Sequence, residues 1–65
     1  MKIELYSAYD RDDGVQLKVN GVEIVFANFD EDGSAGMAIV SNVAHGLADL
    51  FNVDIIENEV DEIVR

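Results

Sequence analysis

Carboxylate is the one reactive group this chain carries in quantity: 14 of 65 residues are Asp or Glu against four Lys or Arg, a formal charge of −10. Closely spaced carboxylates can ligate hard cations, work as an acid–base pair, or present a field of negative charge. The runs Asp10-x-Asp12-x-Gly14 and Asp30-x-Asp32-x-Ser34 begin like a calcium loop. Their twelfth positions are Gly21 and Ser41, where a bidentate Glu is required, and the flanks do not read as a helix pair. The pattern predicts weak, non-specific divalent binding and no dedicated metal site.

Ser41, His45 and Asp49 recur at i, i+4, i+8, which invites a nucleophilic triad. That spacing lays them along one helix edge instead of converging them on a reacting atom, and no oxyanion donor is in view. His45 reads better as an exposed helical residue with a carboxylate one turn away. Pairs such as Glu57 and Glu59 lack a pocket to tune them for proton transfer, and 65 residues leave little room for one. Cysteine is absent and histidine is single, so disulfides and zinc are disfavoured. The expectation is a protein that is not an enzyme and uses no cofactor.

The elements that position the acids are partly legible. Asn20-Gly21 between the alternating runs 15–19 and 22–26 marks a two-residue hairpin, since a type I′ turn needs positive φ at both central positions. Uninterrupted pairing sets Val19 opposite Val22, Leu17 opposite Ile24 and Val15 opposite Phe26 on the core face. Lys18–Glu23 and Gln16–Val25 then lie on the other face, with Phe29 projecting beside Val25. Ile3 and Leu5 alternate with polar neighbours over residues 2–9, and residues 10–14 form a polar turn. Three sequential strands predict an antiparallel meander.

Residues 35–51 supply the cover: Val40, Val43, Ala44, Leu47 and Phe51 fall at helical spacing, with Met37 and Leu50 flanking the stripe. No formally charged residue occurs from 33 to 48. Small residues let this helix approach the sheet closely, Gly46 weakens it, and Asp32 or Ser34 is positioned to cap its start. Ile56, Val60, Ile63 and Val64 fit a short C-terminal helix, with residues 53–55 alternatively a fourth strand. The expectation is one α+β domain over residues 1–65: a three-stranded antiparallel meander packed by one amphipathic helix, then a short second helix (βββαα).

In such a meander the first loop and the exit from the third strand share one end of the sheet. Asp10, Asp12 and Asp13 therefore approach Asp30, Glu31 and Asp32, with Arg11 as the nearby cation. Like-charge crowding of this kind costs stability, and the sequence shows no local need for it. Glu57, Glu59, Asp61 and Glu62 form a second group whose relation to the first depends on how the C-terminal segment folds back. One reading is a ridge that imitates the roughly one negative charge per 1.7 Å of duplex DNA and occupies a cationic cleft. The plainer reading is a solvated surface that maintains solubility, or the general acidity of a halophile. Phe29 and Val25 are expected to pack under the C-terminal helix; left uncovered, they form an apolar patch suited to a partner or a homodimer.

Acidity excludes direct nucleic-acid binding and disfavours anionic membranes. No unbroken apolar run exceeds four residues, the length of residues 37–40, which is far short of a membrane span. With no basic and apolar leader after Met1, the chain reads as a complete small open reading frame and a cytoplasmic protein. In size, charge, compactness and lack of cysteine, the whole chain resembles the small acidic anti-CRISPR and DNA-mimic inhibitors encoded by bacteriophages, which share no sequence motif. The resemblance implies a non-enzymatic inhibitor in the cytoplasm of an infected bacterium, bound to a basic DNA-binding host complex. A surface of a CRISPR–Cas effector that reads the protospacer-adjacent motif is the most suitable target. Asp10, Asp12, Asp13, Asp30, Glu31 and Asp32 are then the expected contacts, with Glu57, Glu59, Asp61 and Glu62 in second rank, on a monomer or weak homodimer. The rival expectation is an acidic protein–protein module that binds through the neutral helix or the Phe29 face.

Overall fold

In the computed structural model, which describes residues 1–8 and 14–65, a four-stranded sheet carries one long helix on one face. The elements are β1 (Ile3–Ala8), β2 (Gly14–Val19), β3 (Val22–Asn28), α1 (Phe29–Phe51) and β4 (Ile55–Glu59). Spatial order is β3-β2-β1-β4: β1, β2 and β3 pair antiparallel as the meander requires, and β4 joins β1 in parallel. The hairpin turns where Asn-Gly marks it, with Asn20 at φ 52° and Gly21 at φ 81°.

The register expected within that hairpin holds for only two pairs. Val19 faces Val22 and Lys18 faces Glu23, but Leu17 then pairs with Val25, Gln16 with Phe26 and Val15 with Ala27. Ile24 is the extra residue of a β-bulge, and because side chains alternate with period two, one inserted residue exchanges the faces beyond it. Ala27, not Phe26, is buried in the core, and Ile24 is left exposed. The Phe26 ring lies over Gly14, where an added Cβ would sit 3.1 Å from its Cε1. Val25 shares the core-side register of Leu17, and Phe29 opens the helix half exposed. The expected shared patch of Val25 and Phe29 on the far face is therefore corrected.

The core is thin. Ile3, Leu5, Val15, Leu17 and Ala27 of the sheet meet Val40, Ala44 and Ala48 of α1, with Met37, Leu47, Val53 and Ile55 packed around them. Alanines at the contact let α1 lie close, chiefly over β3 and β2. The helix begins six residues earlier than its periodicity predicts, because Asn28 caps it: Asn28 Oδ1 accepts from the Glu31 N–H at 2.7 Å, and Asp32 Oδ2 accepts from the Asn28 N–H at 3.0 Å. Gly33 then kinks it at φ 68°, ψ −179°, a conformation essentially restricted to glycine. It ends in a Schellman arrangement, with Asn52 left-handed and the Val53 N–H donating to the Ala48 carbonyl at 3.0 Å.

The expected C-terminal helix is absent, and a strand stands in its place. Ile55, Ile56, Val60, Ile63 and Val64 are β-branched, which weakens a helix and suits a pleated surface. A fourth strand does form, at residues 55–59 instead of 53–55. Beyond it, residues 60–65 cross the sheet face opposite α1, starting from the Val60 N–H on the Ser7 carbonyl at 2.9 Å and ending at Glu23.

The two open glycines of α1 respond oppositely to the same substitution. Neither Gly33 nor Gly46 has a heavy atom within 4 Å of an added Cβ, so backbone conformation alone decides. Gly33→Ala destabilises by about 1–3 kcal/mol, whereas Gly46→Ala, in regular helix, stabilises by up to about 1 kcal/mol. Thermal unfolding of the two variants beside wild type reads both signs.

Candidate acidic surface

Asp30, Glu31 and Asp32 occupy the first turn of α1 and are exposed. The crowding expected to lack a local cause has one here. The helix N-terminus carries partial positive charge that favours carboxylates, and Asp32 also accepts the Asn28 N–H. Gly36 permits this approach, since a Cβ there would stand 2.6 Å from Asp32 Cβ.

Pairing fixes where the second acidic group lies. Asn28 pairs with Gly14, Gly14 with Ala8, and Ser7 with Glu59. The end of β3, the start of β2 and the ends of β1 and β4 thus share one end of the sheet. The helix-start acids follow β3 and Glu59 closes β4, the two outer strands, which lie three strand spacings or about 14 Å apart. Asp61 and Glu62 follow, exposed, as the tail leaves β4. Glu57 lies one strand pair further in, its Oε1 3.5 Å from His45 Nε2. His45 therefore meets a carboxylate from β4, not Asp49 of its own helix. Asp10, Asp12 and Asp13 lie outside the described residues.

The described cations are engaged elsewhere. Lys2 Nζ is 3.7 Å from Glu4 Oε2, Lys18 Nζ is 5.2 Å from the Tyr6 ring centre, and Arg65 stacks 4.1 Å over Phe26. Among the described residues no ion pair reaches Asp30, Glu31, Asp32, Glu59, Asp61 or Glu62. No three acids or histidines among them converge as a metal-ligand group, and no helix is long and apolar enough to cross a membrane.

The face opposite α1 holds a polar network that the sequence reading missed. Arg65 donates through Nε and Nη2 to the two carboxylate oxygens of Glu23, at 2.8 and 2.9 Å. Gln16, nearly inaccessible to solvent, donates through Nε2 to Glu23 Oε1 and to the Val64 carbonyl. Tyr6 donates its hydroxyl to Glu4 Oε2 at 2.8 Å, and that bond, with burial and the Glu4 charge, raises the phenol's pKa. The signal available in advance was a lone cation, Arg65, following apolar residues at the end of an acidic segment. Its partner 42 positions away was not readable.

The Arg65 guanidinium, helped by Gln16, holds the Glu23 carboxyl at about 2, below its ordinary 4.5. A lowered carboxylate pKa stabilises the fold above the unfolded value, and this contribution is lost as pH falls from about 4.5 to about 2. Arg65→Ala returns the Glu23 titration toward its ordinary range and loosens residues 60–65. Carboxyl chemical shifts followed through an acid titration, and amide exchange in the tail, check the two effects.

Compared with known proteins, the chain matches no family model, no curated protein and no solved structure.

Proposed function

We propose that this protein is a non-enzymatic inhibitor whose carboxylates stand in for DNA phosphates on a cationic DNA-binding surface, the motif-reading surface of a CRISPR–Cas effector being the best-suited target. The observation that carries the reading is the gathering of unpaired acids, from the start of α1 and the exit of β4, at one end of the sheet. The outer strands β3 and β4, from which the two groups extend, lie about 14 Å apart, on the scale of the roughly 12 Å width of the B-DNA major groove, which phosphates line on both sides. A rigid sheet holds the two groups apart without flexible arms, so little ordering entropy opposes binding. Asp30, Glu31, Asp32 and Glu59 are the principal contacts among the described residues, with Asp61 and Glu62 beside them.

A second reading is favoured by a different observation: Ile39 and Val43, in the stretch of α1 that carries no formal charge, and Leu50 near its end are exposed. An acidic protein–protein module would bind its partner through that surface or through Phe29. Salt separates the two, because an exposed charge interface weakens as ionic strength rises and an apolar one does not.

The test compares wild type with the triple variant Asp30→Asn, Glu31→Gln, Asp32→Asn in a pull-down from bacterial lysate at about 0.05 M and about 0.5 M salt. The amides keep their acceptor oxygens, so the cap at Asn28 survives, as circular dichroism will verify. Wild type should capture a nucleic-acid-binding complex at low salt and release it at high salt. The variant should bind at least about tenfold more weakly, since each charge-assisted contact is worth about 1.5–3 kcal/mol. Equal capture of one partner by both proteins at high salt would assign the function to the apolar surface.

A further inference from the structure

The sheet ends in two outer strands that differ in kind. β3 is bulged at Ile24, a device that turns an edge away from further pairing, and α1 packs over it. β4 pairs with β1 without a break from Ile55 to Glu59 and carries neither Pro nor Lys. The helix lies chiefly over β3 and β2 and barely reaches it.

Hydrogen bonding fixes which groups of β4 face outward. The Val60 N–H donates to the Ser7 carbonyl, so by alternation the N–H and C=O groups of Ile56 and Asn58 also turn toward β1. Those of Ile55, Glu57 and Glu59 turn away, with no strand beyond them among the described residues. Side chains alternate as well, so Glu57 and Glu59 share one face. That face is the helix side, since Glu57 Oε1 lies 3.5 Å from His45 Nε2. The residues that offer free backbone groups therefore carry the exposed carboxylates. Beside them is an open recess of about 320 Å³ lined by Ser7, Glu57, Asn58 and Glu59.

We propose that β4 takes up an extended basic segment of a partner protein as a fifth, antiparallel strand, with Lys or Arg opposite both Glu59 and Glu57. In such a ladder the facing residues exchange both N–H···O bonds at a Cα separation of about 5.5 Å. Each basic side chain then lands on the same face as the carboxylate it meets. The next residue of the partner faces Ile56, which is 41% exposed, and an apolar side chain suits it. The segment reads basic–x–basic–apolar from its N-terminal end. Backbone pairing supplies affinity and the alternate carboxylates supply specificity.

Charge decides the occupant. A second copy brings another −10 to a chain already at −10. Antiparallel self-pairing centred on Glu57 also sets that carboxylate directly opposite its own copy, which is destabilising. A basic segment meets the reverse: no described cation pairs with Glu59, and the exposed Asp61 and Glu62 follow it. Asp30, Glu31 and Asp32 take no part, so this edge and the helix-start acids can be tested, and can fail, separately.

The probe is a short capped peptide alternating lysine and valine, fluorescently labelled and read by anisotropy at about 0.1 M salt. Two analogues separate strand pairing from plain attraction. One is N-methylated at its lysines, whose N–H groups face β4, and the other at its valines, whose N–H groups face away. Wild type should bind the parent and the valine-methylated peptide, and bind the lysine-methylated one at least about tenfold more weakly. The backbone amides of Glu57 and Glu59 should shift and gain protection from exchange. Glu57→Gln combined with Glu59→Gln should keep the circular dichroism spectrum and bind about tenfold more weakly. Equal binding of the two methylated peptides overturns the proposal, because attraction alone then suffices. Shifts centred on β3 or on the start of α1 also overturn it, as does no binding up to about 1 mM peptide.

Discussion

Val40, Ala44 and Ala48 set α1 directly on Ile3, Leu5, Val15 and Leu17, and the rest of the architecture depends on this close contact. One helix can cover one face of a four-stranded sheet. With no cysteine to form a staple, the second face also needs cover, and six residues after β4 provide it. Arg65 and Val64 anchor that strap through Glu23 and Gln16. The alanines that permit the close approach carry little apolar bulk. Much of the chain's hydrophobic surface, Ile24, Ile39 and Leu50 included, therefore remains in water.

The same contact organises the charge. Because α1 starts directly after β3, its N-terminus falls at the sheet end where β1 finishes and β2 begins. The dipole and the Asn28 cap stabilise Asp30, Glu31 and Asp32 there. Parallel pairing of β4 with β1 brings Glu59 to that end as well, while Arg65 is carried away under the sheet to Glu23. Carboxylates that serve a helix start locally thus become part of a collective field. A local reason for each acid does not remove the global consequence of having them on one end.

Elements written in short-range chemistry were legible in the sequence. Asn20-Gly21 fixes a turn through its own backbone preference, Ile3 and Leu5 alternate cleanly, and the stripe from Met37 to Phe51 identifies the helix. The bulge at Ile24 was not legible, because Ile24, Val25, Phe26 and Ala27 are all apolar and either register sets apolar side chains on the core face. Only the fit of Phe26 over Gly14 and of Ala27 under α1 distinguishes the two registers. The C-terminal segment failed for a related reason: Ile56, Val60, Ile63 and Val64 satisfy a helical period by position while their branching at Cβ favours a strand. Of the acids, Asp30 to Asp32 were placed at the correct sheet end by topology alone. Glu57 and Glu59 could be placed only once β4 was known to run parallel to β1.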